Sequence, residues 1–394
     1  MPQTCHVALI GQKFMGRAHS NAWAQVGHFF DLPLLPERSL ICARDAAELR
    51  DFAARWGWQR TTTDWREVAA DDTIDLVDIG TPNDMHREQA VAMLEAGKHV
   101  ACEKPLAGTL DDARVMAQAA KRSKRSKTFV WFNYRRCPAL ALAHRLVQQG
   151  KLGTIYHVRA TYLQSWGGPN VPLIWRFQRK VAGSGAHGDL NAHIVDLARF
   201  LTGDEIVEVH GAVARTFIRE RALPGGGGGG KIAGQKAGVR KGKSDVDDAV
   251  LFLASFRGGA VASFEATRVA AGHQNRNTIE LNGSQGSLRF DFEDMNVLHY
   301  HEGFDTSATS GWTRIMCTAA EHHPYAANWW PDAHVLGYEH GFINMAADVL
   351  RVLGGKRPEV PLPDFADAYE TQRVLEAALL AAKERRAVKL SEVK

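Results

Sequence analysis

A lysine held between an acid and a proline is the first candidate for chemistry. Lys104 lies between Glu103 and Pro105, directly after the apolar run at residues 99–102. A proline restricts the residue before it to extended conformations, so the backbone of Lys104 has few alternatives. Open α/β sheets bind ligands beyond the carboxyl ends of their strands. We therefore predict that Lys104 supplies a fixed positive charge to a ligand site, the alternative being a solvated surface lysine.

The second candidate is an aspartate followed four residues later by a histidine, Asp189 and His193. On a helix these residues share one face, and so do His193 and Asp196. An imidazole titrates near neutral pH and a carboxylate beside it fixes its orientation, which is what a general base requires. Two other interpretations stay open. Asp189 and His193 could bind a metal together with His187, although the spacing is not HExxH. Alternatively, Asp189 only caps a helix.

A glycine turn follows the first apolar run of the chain. Residues 6–10 predict a strand, Gly11 and Gly16 bound the turn, and residues 17–26 predict a helix. This order is the context of a dinucleotide-binding fingerprint. Lys13 occupies the middle position, where a glycine normally lets the pyrophosphate approach the backbone. Its charge could compensate for the lost approach. A tight turn that binds nothing is the alternative.

Strands and helices alternate through the first third of the chain. Strand-like runs at residues 39–44, 73–79, 99–102 and 128–132 alternate with helix-like segments at residues 46–56, 86–96 and 110–121. This alternation predicts an α/β Rossmann domain with a doubly wound parallel sheet. After the second strand, Arg44 could favour the 2′-phosphate of NADP, while Asp45 could bind the ribose of NAD. The sequence leaves both cofactors open.

The second part of the chain has a different pattern. After a helix at 138–150, strand-like runs from residue 155 to 292 are joined by glycine-rich turns, which predicts an α+β domain with a mostly antiparallel sheet. We predict a dinucleotide-binding domain at residues 1–134 and a substrate-binding and oligomerisation domain at 135–394. The last helix, predicted at 365–384, is a candidate to pack back on the first domain. Residues 225–243, rich in glycine and lysine, predict a flexible surface insertion.

The composition narrows the class of protein. A chain of 394 residues with 45% hydrophobic and 23% charged residues is typical of a two-domain globular protein. The net charge of +4 gives no support for nucleic-acid or membrane binding. The five cysteines are scattered and form no CxxC pair, which favours reduced thiols. We find no signal peptide and no apolar run long enough to cross a membrane, and therefore expect a cytoplasmic protein.

Four motifs occur together in an order that resembles the Gfo/Idh/MocA family, whose members include glucose–fructose oxidoreductase and inositol dehydrogenase. They are the turn Gly11–Gly16, Thr81-Pro82-Asn83 with His86, Glu103-Lys104-Pro105, and Asp189 with His193. The resemblance implies a Rossmann domain followed by an open-faced sheet domain that pairs with another subunit, giving a homodimer or homotetramer. It implies NAD(P)-dependent oxidation of a sugar hydroxyl to a ketone, without a metal. It also implies a rigid turn with a cis Lys104–Pro105 bond.

The resemblance also assigns residues to roles. The catalytic group would be Lys104, Asp189 and His193. The cofactor would be bound by Gly11, Lys13, Phe14, Met15, Gly16, Arg44, Thr81, Pro82, Asn83, His86 and Glu103. Several local segments are similar to the branch of the family that oxidises levoglucosan, commonly at C3. They suggest that Lys104, Tyr134, Arg135, Gln164, Trp166, Trp175, Arg176, Asp189 and His193 contact the sugar.

Three other functions remain open from the sequence. The protein could be an inositol or cyclitol dehydrogenase. It could supply the oxidation step in glycoside cleavage, before a partner lyase eliminates the aglycone. The irregular residue Lys13 suggests a third possibility, a non-catalytic dinucleotide-binding regulator. Against the regulator, a base candidate and a fixed cation have no use in a pure sensor.

Overall fold

The computed structural model describes residues 2–225, 237–304 and 307–394 of the chain. Most of the predicted insertion, residues 226–236, lies outside the described residues. The chain divides into two units. The first comprises the residues up to Asn133 together with Tyr338–Tyr369, and the second comprises residues 134–225, 237–337 and Glu370–Lys394.

The first unit is built on a parallel sheet. A central strand such as Leu76–Ile79 is buried at every position, as expected for a strand covered on both faces. The strand order is β3-β2-β1-β4-β5-β6, with every pair parallel, so the predicted doubly wound sheet is confirmed. The order reverses between β1 and β4, the point at which such sheets bind ligands. The elements are β1 (Gln3–Ile10), α1 (Phe14–Phe29), β2 (Leu34–Cys42), α2 (Ala46–Trp56), β3 (Arg60–Thr62), α3 (Trp65–Ala70), β4 (Leu76–Ile79), α4 (Asn83–Glu95), β5 (His99–Cys102), α5 (Leu110–Arg122) and β6 (Thr128–Val130).

The rest of the chain contains the second sheet and the last helices. The elements are α6 (Pro138–Gln148), β7 (Ile155–Leu163), α7 (Arg179–Ala182), α8 (Ala192–Thr202), β8 (Ile206–Arg215), β9 (Glu220–Pro224), β10 (Ala237–Lys243), β11 (Ala249–Phe256), β12 (Val261–Thr267), β13 (Arg276–Gly283), β14 (Gly286–Asp291), β15 (Val297–Glu302), β16 (Thr313–Met316), α9 (Tyr338–Leu353), α10 (Phe365–Glu384) and β17 (Val388–Lys389). Strands β9 and β10 form a separate antiparallel ribbon.

The main sheet of the second unit is mixed. Within the described residues its order is β16-β15-β14-β13-β7-β12-β11-β8-β17, and only β7 and β12 pair in parallel. The predicted mostly antiparallel sheet is therefore confirmed. Alternate residues of β11 and β12 are buried, because one face of the sheet forms the core and the other is open. Helix α8 packs over β7 and β13 on the core face.

Helix α9 packs against α1 in the first unit. The sequence analysis had suggested that the last helix, α10, packs on this domain. Only the start of α10, through Tyr369, belongs to the first unit. From Glu370 onward α10 belongs to the second unit, where Arg199 donates to Thr371 and His187 is bonded to the carbonyl of Leu375. Among the described residues, no helix is both long and apolar enough to cross a membrane.

Candidate active site

The glycine turn between β1 and α1 is shaped by close backbone contacts. Gly11 has a φ of 120°, a conformation that side chains disfavour. A Cβ atom on Gly11 would lie 2.7 Å from the carbonyl oxygen of Gly80, and one on Gly16 would lie 2.3 Å from that of Gly11. Glycine is therefore required at both ends of the turn. The turn packs against the end of β4, at the reversal of the strand order.

Lys13 occupies the middle of this turn with a φ of −81° and a ψ of −140°. The negative φ means that the position does not need the left-handed conformation that favours glycine. Its ammonium pairs with Glu48 in the first turn of α2, and the Gln12 amide donates to the same carboxylate at 3.1 Å. In α1, which is described throughout, no acidic residue lies in the first turn and no side chain caps it. Its amino terminus therefore suits a phosphate, and the turn fits the pyrophosphate of a dinucleotide.

Arg44 and Asp45, the predicted ribose-binding candidates, lie shortly after the end of β2. The Asp45 carboxylate accepts hydrogen bonds from the backbone of Ala47 and Glu48, both at 3.0 Å, and so caps α2. Its hydrogen-bonding capacity is partly used by the helix. Arg44 lies beside it, beyond the end of β2.

His86 joins the loops that follow β4 and β5. The side chain is fully buried, with Nε2 2.9 Å from the carbonyl oxygen of Thr81 and Nδ1 3.2 Å from that of Leu106. Burial lowers the pKa of His86. Thr81 is fixed further by its hydroxyl, which donates to Gln89 at 2.7 Å. His86 therefore holds the Thr81-Pro82-Asn83 loop in place from inside the first unit.

The turn that carries Lys104 is anchored by its acidic neighbour. Glu103 is buried, and its Oε2 accepts a hydrogen bond from the backbone N–H of Lys104 at 3.1 Å. Its Oε1 is 2.9 Å from Nε2 of His19 on α1. The Lys104–Pro105 peptide bond is cis, as predicted. Glu103 thus determines the position of the lysine backbone.

In the second unit, His193 lies among tyrosines. Its ring centroid is 4.5 Å from that of Tyr134 and 5.8 Å from that of Tyr162. The two tyrosine hydroxyls are 2.7 Å apart, and Tyr162 donates to Asn275 at 2.7 Å. Burial raises the pKa of Tyr134 well above its usual value, so its hydroxyl stays neutral. His193 therefore lies in an aromatic and polar cluster with fixed hydroxyls.

This cluster continues to two further predicted sugar contacts. Gln164 donates from Nε2 to Asn275 at 2.6 Å, and its Oε1 accepts from the indole of Trp166 at 2.6 Å. The structure thus brings Tyr134, Gln164 and Trp166 into one hydrogen-bonded series with Tyr162 and Asn275. Asn275 was not among the predicted residues, since it lies in a loop with no motif around it.

Asp189 lies in a π-helical turn, His187–Asn191, which precedes α8. Its Oδ2 atom is 3.6 Å from Nη1 of Arg268, whose side chain is almost fully buried. The Arg268 guanidinium also lies 5.1 Å from the ring centroids of both Trp166 and Phe177. Arg268 was not among the residues predicted to contact the sugar. In the structure it places a positive charge beside the Asp189 carboxylate.

Two predicted sugar contacts have partners of their own. Arg135 and Asp196 form a buried ion pair, in which Nε donates to Oδ2 at 2.8 Å. This burial argues against the predicted sugar contact of Arg135. The guanidinium of Arg176 lies 4.3 Å from the ring centroid of Trp175, on the short 3₁₀ turn Trp175–Phe177.

The ring nitrogens of His187, one of the predicted metal ligands, have other partners in the structure. His187 is buried with its Nε2 at 2.8 Å from the carbonyl oxygen of Leu375 and its Nδ1 at 2.9 Å from Nδ2 of Asn191. In the described part of the chain, no group of three or more His, Cys, Asp or Glu side chains is arranged to hold a metal ion.

The fold and the glycine turn together define an oxidoreductase with an NAD-binding domain. Residues 5–131 match the oxidoreductase family with an NAD-binding Rossmann fold, and residues 140–289 match the GFO/IDH/MocA C-terminal domain. The chain belongs to the Gfo/Idh/MocA family, and its cofactor is NAD. The predicted family and enzyme class are thereby confirmed, and NAD is the one of the two open cofactors that the family match supports.

Individual relatives resemble the chain over almost its whole length. It is 41% identical to levoglucosan dehydrogenase of Pseudarthrobacter phenanthrenivorans, over 96% of each chain. It is 26% identical to D-apiose dehydrogenase of Paraburkholderia graminis, over 98% of this chain and 90% of the relative. Two solved structures are similar at a TM-score of 0.90. They are an oxidoreductase domain protein from Kribbella flavida, 48% identical over 99% of this chain and 100% of that one, and levoglucosan dehydrogenase with NADH and levoglucosan, 39% identical over 98% and 100%.

Proposed function

We propose that this protein oxidises a secondary hydroxyl of a levoglucosan-like pyranoside, at C3, to a ketone. The observation that carries the proposal is the cluster around His193, in which a buried imidazole lies beside fixed hydroxyls and a series that ends at Trp166. An aromatic face packs on the C–H side of a sugar, and amide and hydroxyl groups bind its oxygens. The full-length similarity to levoglucosan dehydrogenase supports the same substrate class.

The catalytic roles follow from the chemistry of alcohol oxidation. NAD⁺, when bound, would supply the hydride acceptor, and the hydroxyl proton would be left for the protein to remove. We assign that proton to His193 as general base. The Lys104 ammonium stabilises the negative charge that develops on the oxygen. Asp189, which lies beside Arg268, accepts a hydrogen bond from a neighbouring hydroxyl. The products are the ketone, NADH and one proton.

A direct assay tests the substrate and the cofactor together. We expect the purified protein to reduce NAD⁺ with levoglucosan faster than with myo-inositol, followed by absorbance of the reduced nicotinamide, and to give a 3-keto product by NMR. Higher activity with myo-inositol would favour the cyclitol dehydrogenase. Two inositol dehydrogenases are 26% and 29% identical to this chain. Calorimetric binding of NAD⁺ without turnover of any pyranoside or cyclitol would contradict the proposal and favour the regulator.

We also propose that two copies pair through the open face of the main sheet. Val213, Leu251, Leu253 and Val261 lie on neighbouring strands and are 48%, 42%, 57% and 50% exposed. Leu251 is directly opposite Val213, and Leu253 is two residues further along the same face. A contiguous exposed apolar surface of this kind is typical of a protein–protein interface.

We also propose that the protein is located in the cytoplasm. Its five cysteines are free thiols and all of them are buried, which suits a reducing compartment.

Leu253→Glu is expected to separate the copies, because it would place a charge in an apolar interface. Light scattering during size exclusion should show the mass of a single chain for this variant and a multiple of that mass for the unaltered protein. Val335→Glu is the matched control, since Val335 is 62% exposed but lies outside the sheet. An unaltered protein with the mass of one chain, or a Leu253→Glu variant that stays assembled, would contradict the interface.

A further inference from the structure

A buried histidine in the first unit bridges two carboxylates. Nδ1 of His19 is 3.0 Å from both carboxylate oxygens of Asp78, and Nε2 is 2.9 Å from Oε1 of Glu103. The side chains of His19 and Asp78 are fully buried, and that of Glu103 is only 7% exposed. The three residues come from α1, from β4 and from the turn after β5, so the contacts connect three separate elements.

Aromatic side chains surround the bridge. The indole N–H groups of Trp23 and Trp131 donate to Asp78 at 2.7 and 2.8 Å. The Trp131 ring centroid is 4.2 Å from that of His19, and Phe342 on α9 is 5.6 Å away. These contacts enclose the imidazole in apolar surface and fix the carboxylate of Asp78 independently of the histidine.

The geometry indicates the protonation state of His19. An ionised carboxylate only accepts hydrogen bonds, so a ring nitrogen that contacts one must donate. Both nitrogens of His19 contact carboxylates, so the imidazolium is the form that satisfies both contacts when the two carboxylates are ionised. Burial opposes this charge, but the charges of Asp78 and Glu103 and their hydrogen bonds outweigh it and raise the pKa of His19 from 6.5 to about 9.

Two carboxylates contact the imidazole directly. Asp78 on β4 and Glu103 after β5 are within hydrogen-bond distance of its ring nitrogens, while Trp23, Trp131 and Phe342 carry no charge. His86 on α4 contacts the same turn through the carbonyl oxygen of Leu106, and burial lowers its pKa. With both carboxylates ionised, the positive charge of His19 lies between two negative ones.

The other carboxylate oxygen of Glu103 accepts a hydrogen bond from the backbone N–H of Lys104 at 3.1 Å. The bridge is therefore connected to the backbone of Lys104. We infer that His19 is a positioning residue, whose imidazolium ties Glu103 to Asp78 and so holds Lys104 where its ammonium acts. This inference rests on the proposed role of Lys104. No other part of the proposed reaction requires His19 to touch the substrate.

The protonation state can be measured without any assay of activity. We expect NMR of the protein labelled with ¹⁵N-histidine to show His19 with both ring nitrogens protonated at neutral pH, losing a proton only near pH 9, since its pKa is raised. His19→Gln identifies the resonance by its loss, and Glu103→Gln should move the titration to lower pH. A His19 signal of neutral imidazole at pH 7 would overturn the bridge.

The positioning role is tested by kinetics of His19→Gln. A neutral amide cannot donate to both carboxylates, so the turn loses its anchor, and displacements of about 1 Å can cost up to ~10²-fold in rate. We expect kcat to fall about 10- to 100-fold while the calorimetric affinity for NAD⁺ stays within about twofold. His99→Gln is the control, since His99 lies on β5 with its Nδ1 bonded to the backbone of Lys127.

The outcomes separate this inference from the proposed function. If the unaltered protein oxidises none of the sugars, the proposed function fails, and the NMR titration alone decides the bridge. If it oxidises a sugar and His19→Gln folds with unchanged kcat, the positioning role is wrong. If His19→Gln does not fold, Glu103→Gln takes its place in the kinetic comparison, with the same expected loss of kcat and the same contradicting result.

Discussion

Lys104→Met is expected to lower kcat for sugar oxidation by about 10²–10³-fold, the cost of removing one donor that stabilises a developing negative charge. Methionine keeps an unbranched side chain of similar length but carries no charge. The turn that holds the residue depends on Glu103 and the backbone N–H of Lys104, and neither is altered. We therefore expect calorimetry to show little change in the affinity for NAD⁺. Steady-state rates with the preferred sugar measure the loss.

Lys124→Met is the matched control for this variant. Lys124 is an exposed lysine of the same unit, beyond the end of α5. Its replacement should leave both kcat and the NAD⁺ affinity unchanged. If Lys104→Met retained the turnover of the unaltered protein, the assignment of Lys104 to the developing alkoxide would be wrong.

His193→Ala is expected to reduce kcat by about 10²–10⁴-fold, the usual contribution of a general base. Only the unprotonated imidazole can take the hydroxyl proton, so the rate of the unaltered protein should rise with pH on the acidic side of its profile. The variant should lose this rise. The measurement is kcat against pH with saturating NAD⁺ and sugar.

His144→Ala provides the comparison in the same unit. His144 also packs on an aromatic ring, with its centroid 4.3 Å from that of Phe200, but it is outside the cluster around Tyr134. Loss of this packing should affect stability more than the pH profile. A His193→Ala variant that kept the acidic limb of the profile would show that another group removes the proton.

The parallel sheet could be predicted because most of its strands are local apolar runs that alternate with helices. The mostly exposed strand β3, whose sequence is Arg-Thr-Thr, has no such run and was not predicted. Helix α9 was not predicted from the sequence. Its residues from Gly341 to Leu350 are all buried, including the polar residues Asn344 and Asp348. The burial of such polar residues depends on tertiary contacts, which periodicity does not show.

The residues around the candidate site show where local patterns stop being informative. Arg135 follows Tyr134, and the sequence analysis gave both the same role. They lie on a 3₁₀ turn, where successive side chains point about 120° apart. Tyr134 accordingly packs on His193 while Arg135 pairs with Asp196. Removing one partner of a buried ion pair costs about 3–5 kcal/mol, so Arg135 serves folding first.

Contacts between residues that are far apart in the chain could not be predicted from the sequence either. His19 is 59 residues from Asp78 and 84 from Glu103, and nothing in their spacing indicates that they meet. Arg268 directly follows β12 and Asp189 lies in the π-helical turn before α8, so these two residues are distant in the chain and meet through the tertiary fold. The helical spacing of Asp189 and His193 was recognised, but a π-helical turn at Asp189 replaces the regular helix that the argument assumed.

The backbone contacts of the glycine turn have an energetic consequence for cofactor binding. Gly11 and Gly16 touch backbone atoms of the protein itself, so the shape of the turn is set by the fold. A loop that is ordered before its ligand arrives loses little conformational entropy on binding, whereas ordering a mobile one consumes part of the interaction energy. Preorganisation of this kind leaves more of the binding energy of the dinucleotide available as affinity, even with a lysine at the centre of the turn.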